Sequence, residues 1–366
     1  MQTRRKYELP VLILALLSLG PAIPLPSGDF LMFGQGLERI LDLRGTWRFA
    51  IGDDSTRALP AFDDSGWDRI QAPGAWEDQG YPGYDGWAWY RRQFTVDSRY
   101  RFDALYLHLG NIDDVDEVYI NGRFTAFQGL PPPSYISAFA EKRWYYVPYE
   151  YLNFSGPNII AVRVYDRELS GGIIRGNLGL YHYVDYLVPD QSLRGTWKLR
   201  RGDLPEWKDS DVADTSWPEA FVPACWETQG LKDYDGFGWY RRRFTLDPAL
   251  RNEALVLLLG KIDDVDEVWL NGVRVGKTGR MPTEGGRYIN DDAYDQLRAY
   301  ELPPGIVHGS GENVIAVRVF DGFMHGGICE GPVGLIRRER LRAWYARHPR
   351  NEKSPFRRLI DALFGD

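Results

Sequence analysis

Two stretches of this 366-residue chain concentrate groups able to bind a ligand, and each stretch occurs twice. The first runs from Trp76-Glu77 to Tyr84-Asp85-Gly86-Trp87. Its counterpart runs from Trp226-Glu227 to Tyr234-Asp235-Gly236-Phe237. An aromatic face takes the apolar C–H side of a sugar ring, while carboxylates, amides and arginine take its hydroxyls. Asp166 and Arg175, with Asp321 and His325 as their second set, lie in Gly-rich loops placed to close over the same end. The candidate ligand-binding residues are therefore Trp76, Glu77, Tyr84, Asp85, Trp87, Asp166, Arg175, Trp226, Glu227, Tyr234, Asp235, Asp321 and His325. The competing use is structural: the aromatic rings plug the end of a β-structure, and Asp85 and Asp166 bond loop amides.

The second stretch is Asp113-Asp114-Val115-Asp116-Glu117, repeated at residues 263–267. A hard cation such as Ca²⁺ takes six to eight oxygen ligands, so structural calcium is one reading and the metal is otherwise unassigned. The spacing is not that of an EF-hand, and successive strand side chains face opposite sides. The favoured reading is a buried ion pair, costly to break. It joins one of Asp113, Asp114 and Asp116 to Arg91, Arg143 or Arg163, and one of Asp263, Asp264 and Asp266 to Arg241, Arg298 or Arg318. Cys225 and Cys329 stand where the first copy has Ala75 and Ile174. If their loops meet, they form a disulfide in an oxidising compartment; otherwise they are two buried thiols.

Signatures of catalysis are missing from the sequence. There is no Gly-x-Ser-x-Gly elbow, and the five histidines form no His-Glu-x-x-His pattern. No catalytic residue and no cofactor is assigned. The net charge of −7 gives no reason to expect nucleic acid. The length leaves no room for a (β/α)₈ barrel of about 250 residues beside two other domains.

The elements that position these groups come from an internal duplication. Residues 76–96 recur at 226–246 with 13 of 21 identical, and 110–122 recur at 260–272 with 10 of 13 identical. A period of 150 residues is a duplicated domain, not a solenoid. The domains are placed at 41–187 and 190–336. Asn121-Gly122 and Asn271-Gly272 between runs of β-formers mark type I′ hairpins. From Asn158 to Tyr165 one face carries Ile160, Val162 and Val164, and the other carries Arg163, which must reach solvent or a carboxylate. Short strands with frequent turns and no intervening helices give an all-β fold of two tandem antiparallel sandwiches.

The ends differ from this core. Residues 1–26 hold Arg4-Arg5-Lys6 and an apolar run, the pattern of a signal peptide or a membrane anchor. Residues 337–366 form a basic tail with two short amphipathic helices. These either pack on the second domain or touch a membrane surface or a partner.

The motifs around Trp76 to Phe94, Gly110 to Gly122 and Asn158 to Ile173, with their second copies, resemble the galactose-binding-like jelly-roll domain. The chain is similar to the sugar-binding domain of family 2 glycoside hydrolases and to that carried by sialate O-acetylesterases. The resemblance implies a carbohydrate partner and accessory, non-catalytic domains. Three functions follow as expectations. The first is an exported, periplasmic or extracellular carbohydrate binder. The second is a non-catalytic part of, or partner to, a glycoside hydrolase or acetylesterase. The third is an anchored periplasmic sensor or interaction module.

Overall fold

The two Asn-Gly pairs turn as their chemistry demands. In the computed structural model, which describes residues 36–232, 234–282 and 293–347, Asn121 and Gly122 take φ of 52° and 79°, and Asn271 and Gly272 take 50° and 79°. Asparagine is specified beyond its backbone. The Asn121 side chain donates to Asn158 Oδ1 at 2.8 Å and to the Tyr151 carbonyl at 2.8 Å, and it accepts from the Ile159 amide. Asn271 repeats this latch with Asn313, the Ile306 carbonyl and the Val314 amide. Each hairpin is thereby tied to the strand beside it.

Each copy is two antiparallel sheets packed face to face. In the first copy, one sheet orders Asp68–Ala72, Gly45–Ile51, Gly86–Phe94, Asn158–Asp166, Val115–Ile120 and Arg123–Gln128. The facing sheet orders Leu37–Asp42, Gly179–Tyr183, Leu105–Asp113 and Gly172–Arg175, with Lys142–Val147 also paired to Leu105–Asp113. The second copy repeats the six-stranded sheet with Glu219–Val222, Gly195–Arg201, Gly236–Thr245, Glu312–Asp321, Val265–Leu270 and Val273–Thr278. Its facing sheet has four strands, Gln191–Ser192, Gly327–Arg337, Leu255–Asp263 and Leu297–Glu301. The long strand Gly327–Arg337 does the work of two strands of the first copy.

Strand periodicity decides what each sandwich buries. Ile160, Val162 and Val164 are fully buried in the first core. On the opposite face Arg163 finds two carboxylates, Asp53 at 2.6 Å and Glu117 at 2.8 Å, beneath the Trp87 ring. Arg318 repeats this with Asp203 and Glu267. The duplicated tryptophans Trp47, Trp76 and Trp89, with Trp197, Trp226 and Trp239, are among the largest fully buried side chains.

The described part of the tail is the helix Arg338–Arg347. Leu341, Trp344 and Tyr345 pack on Leu187, Val256, Leu258 and Ile336. Arg337 and Arg340 both grip Asp190, at 2.7 Å each. The first half of the tail thus spends its apolar face on the second sandwich and on the link between the copies. The leader expected at 1–26 and the second helix expected in the tail fall outside the described residues. Among the described residues no helix is long and apolar enough to cross a membrane.

Candidate functional site

The acidic run divides by residue. Asp116 pairs with Arg143 at 2.7 Å, with both side chains fully buried, and Tyr145 donates to its other oxygen. Arg143 also donates to the carbonyls of Ala138, Glu141, Ile112 and Asp114. Asp266 and Arg298 repeat the pair at 2.8 Å. Glu117 takes Arg163, as described above. Arg91 and Arg241 do not serve this run. They lie under the neighbouring loop and bind Asp64 and Asp214 at 2.9 and 2.8 Å, because their strand faces the flank of the sheet and not the acidic turn.

Asp113 and Asp114 remain outside the ion pair. Asp114 accepts from the Ser137 hydroxyl and the Arg167 amide. Asp113, Asp114 and Asp166 bring carboxylate oxygens within 4.8 Å of one another. Gly110 and Gly260, which precede the two turns, have φ of 69° and 63°. A Cβ there would meet the Arg175 or Glu330 carbonyl oxygen at 1.9 Å, so only glycine lets the strands close.

The tryptophans expected to carry a sugar are placed otherwise. Trp76 and Trp226 are 0% exposed and close the end of each core from within. A ring sealed in the core has no face to offer a ligand. Gly171 and Gly326 lie flat on these indoles, where a Cβ would come within 2.1 Å. Tyr84 and Tyr234 donate to the Trp87 and Phe237 carbonyls at 2.7 Å. The Trp87 ring is taken by Arg163 and Tyr165. Asp85, Asp235 and Arg175 are exposed. Asp166 takes the Glu168 amide of its own loop, as expected of it. Glu77 holds a second loop amide, with both its oxygens on the Gly171 amide at 3.1 Å. We expect Trp76→Phe to cost about 1–3 kcal/mol, through a small cavity and the lost bond from its indole N–H to the Tyr84 carbonyl. A urea midpoint would read the loss, and a cost near zero would contradict this placement.

Burial dominates the electrostatics of these ends. It raises Asp113 and Asp166 to about 7, Asp321 to about 8 and Glu227 to about 9. Glu227 Oε1 and Asp321 Oδ2 have no hydrogen-bond partner. A carboxyl whose pKa is higher when folded holds a proton that the unfolded chain releases. Its contribution to stability is therefore full below about pH 4 and is lost as pH rises towards about 8. Asp321→Asn should accordingly gain on the parent between pH 5 and pH 8 in urea midpoint. A constant difference across that range would refute the assignment.

Cys225 and Cys329 are joined as a disulfide, with Cα atoms 4.3 Å apart. The same junction in the first copy is held by the Gly74 amide on the Ile173 carbonyl. Its counterpart, Ala224 on Ile328, sits beside the disulfide.

The two sandwiches enclose a cleft of about 810 Å³. One wall is the Leu105–Asp113 and Lys142–Val147 face of the first copy, with His108, Asn111, Lys142 and Trp144. The other wall is the disulfide with Lys261 and Glu330 of the second copy. His325 bridges the walls, stacked on Phe127 with ring centroids 4.3 Å apart, its Nε2 against the Phe127 carbonyl at 3.2 Å. Burial lowers both His108 and His325 to about 4, so both are neutral near pH 7. Lys261 lies between Asp295 at 2.6 Å and Glu330 at 3.1 Å. Further contacts clamp the copies: Arg194 on Glu150 at 2.9 Å, Lys232 on Glu117 at 3.4 Å, and Tyr151 against Phe221. Residues lining the cleft differ from their counterparts in the other copy: Asn111 and Lys261 from each other, and Glu330 from Arg175. That divergence is the sequence signal for it, since framework positions are shared.

Fold and site together define a tandem pair of antiparallel β-sandwiches. They are similar to the all-β domains of family 2 glycoside hydrolases, and residues 203–321 match the family model for the β-galactosidase second all-beta domain. The β-galactosidase BoGH2A of Bacteroides ovatus is 30% identical over 164 residues, which is 39% of this chain and 17% of that protein. A β-galactosidase of Thermoanaerobacter pseudethanolicus is 27% identical over 173 residues, 43% of this chain and 20% of that protein. Among solved structures, a Bacteroides uniformis β-glucuronidase aligns over 80% of this chain and 28% of its own at 17% identity, with a TM-score of 0.34. The chain spans about a fifth or less of the length of these curated relatives.

Proposed function

We propose that this chain binds carbohydrate without catalysing its hydrolysis, and that the glycan lies in the cleft between the two sandwiches. The observation that supports this is the make-up of the cleft. A space of about 810 Å³ falls within the range of small-molecule sites, roughly 300–1,000 Å³. It is lined by the half-buried Trp144, whose ring also packs against His108 and Tyr181, beside polar Asn111, Gln128 and Lys142. This is the pairing of ring face and hydroxyl partners that a pyranose needs. Placing the ligand between the copies makes one site from two modules, where avidity would require two.

The Cys225–Cys329 disulfide supports an exported protein in an oxidising compartment, periplasmic or extracellular. A second reading is favoured by the family match at 203–321: the pair serves as the accessory part of a larger glycoside hydrolase. A glycan array with galactosylated, glucuronylated and sialylated probes tests the binding claim. We expect selective capture of a few related glycans. Failure to bind any glycan, by folded protein, would leave the accessory reading in its place.

A further inference from the structure

We propose that the helix Arg338–Arg347 is a splint for the link between the two sandwiches, and that Arg340 and Trp344 are positioning residues that hold the walls of the cleft at their facing angle. The geometric claim stands on the contacts below, while its effect on binding rests on the glycan lying in the cleft, as proposed above. Residues 184–190 form the link, and no strand or helix runs through them. One helix face holds them at successive points. The Trp344 indole N–H donates to the Asp185 carbonyl at 2.9 Å, and Arg340 donates to the Val188 carbonyl at 3.3 Å. Arg337 and Arg340 both reach the Asp190 carboxylate at 2.7 Å, and the Arg337 amide adds a third bond to it at 2.8 Å. Leu187, between these points, is buried with Leu341 and Ile336.

Arg337, Arg340, Leu341, Trp344 and Tyr345 recur at the spacing of one helix face. Charge for Asp190 and apolar surface for Leu187 therefore come from the same side. Pro189 lies hard against the strand Gly327–Arg337, since a Cβ on Gly334 would come within 2.7 Å of the Pro189 Cβ. That strand joins the link to the cleft. Glu330 near its start lines the cleft, and Arg337 at its end grips Asp190. Tyr186 of the link lies beside Tyr146 and Glu330, one from each wall.

The remaining contacts between the copies leave the hinge side to this helix. A cleft of about 810 Å³ separates the walls, so the copies meet at its margins. Arg194 on Glu150 and His325 on Phe127 pin two points there. Lys232, which reaches Glu117 at 3.4 Å, is 56% exposed, and such pairs contribute little. Domains of one chain move against each other unless a large apolar interface prevents it. A ligand shared by two walls needs them at one separation, because molecules with splayed walls do not add to the affinity.

The test is a distance measurement between two spin labels on the full chain, at the exposed positions Asp85→Cys in the first copy and Asp235→Cys in the second. Non-reducing conditions keep the native disulfide. One narrow distance is expected in the otherwise parental chain. Trp344→Ala combined with Arg340→Ala should broaden it or shift it by several ångströms, whereas Arg342→Ala, at an exposed position of the same helix, should leave it narrow. If the combined variant fails to fold, Trp344→Phe keeps an apolar ring, drops the bond to Asp185 and serves in its place. Affinity for the best array glycan should fall about threefold to tenfold with the broadening. An unchanged distance in the folded variant, or equal broadening by Arg342→Ala, would overturn the splint. Broadened distances with unchanged glycan affinity would uphold the splint and remove the glycan from the cleft.

Discussion

Replacing Arg143 by methionine should unfold the first sandwich ahead of the second, at a cost of about 3–5 kcal/mol. The reason lies in what Arg143 holds. Its guanidinium is fully buried against an equally buried Asp116, and it donates to four main-chain carbonyls around the acidic turn. Removing it leaves an uncompensated buried carboxylate and strips those carbonyls of a donor. A surface ion pair such as Arg99 with Asp97 would cost about 1 kcal/mol or less. Arg298→Met should do the same to the second sandwich, through Asp266. Urea unfolding followed by tryptophan fluorescence reads each module, and the two single variants should destabilise opposite modules. A cost below about 1 kcal/mol for either would contradict the buried-pair account.

Removing the disulfide should act on one sandwich only. The Cys225–Cys329 bond closes a loop of sequence separation 104, all of it within the second copy. A loop of that size corresponds to about 4.7 kcal/mol of denatured-state entropy, and losses of about 2–5 kcal/mol are usual. The first copy keeps the same junction with a main-chain bond alone, from Gly74 to Ile173. The double variant Cys225→Ala, Cys329→Ala should therefore fold, with the urea transition of the second module moved down and that of the first unmoved. Reductant should reproduce the shift in the parent and leave the variant untouched. Equal effects on both transitions would show that the bond acts across the interface between the copies.

The fold was legible wherever a residue type has a single low-energy use. Asn121-Gly122 and Asn271-Gly272 turn because few other pairs tolerate two positive φ angles. The apolar face of Asn158–Asp166 and the carboxylate partners of Arg163 follow from period-two alternation and the cost of an unpaired charge. Trp76 and Trp226 were not legible in this way, because an indole serves a binding face and a core equally well. The deciding cue was the glycine pair at 171–172 and again at 326–327, where Gly171 and Gly326 leave the indole its space. Within the acidic run, composition could not say which Asp meets which arginine. Strand facing decided that, sending Arg143 to Asp116, Arg163 to Glu117 and Arg91 away to Asp64. The cleft was least legible of all, since it exists only once two diverged faces are brought together and no local motif spans them.

Titration of the best array glycan against three forms of the chain tests the central claim most directly. These are the parent, Trp144→Ala in the cleft and Trp87→Ala in the loop at the sandwich end. Binding in the cleft predicts at least a tenfold loss of affinity for Trp144→Ala, about 1.4 kcal/mol or more, with Trp87→Ala unchanged. Full affinity in Trp144→Ala together with loss in Trp87→Ala would move the sugar to the sandwich end and contradict the cleft.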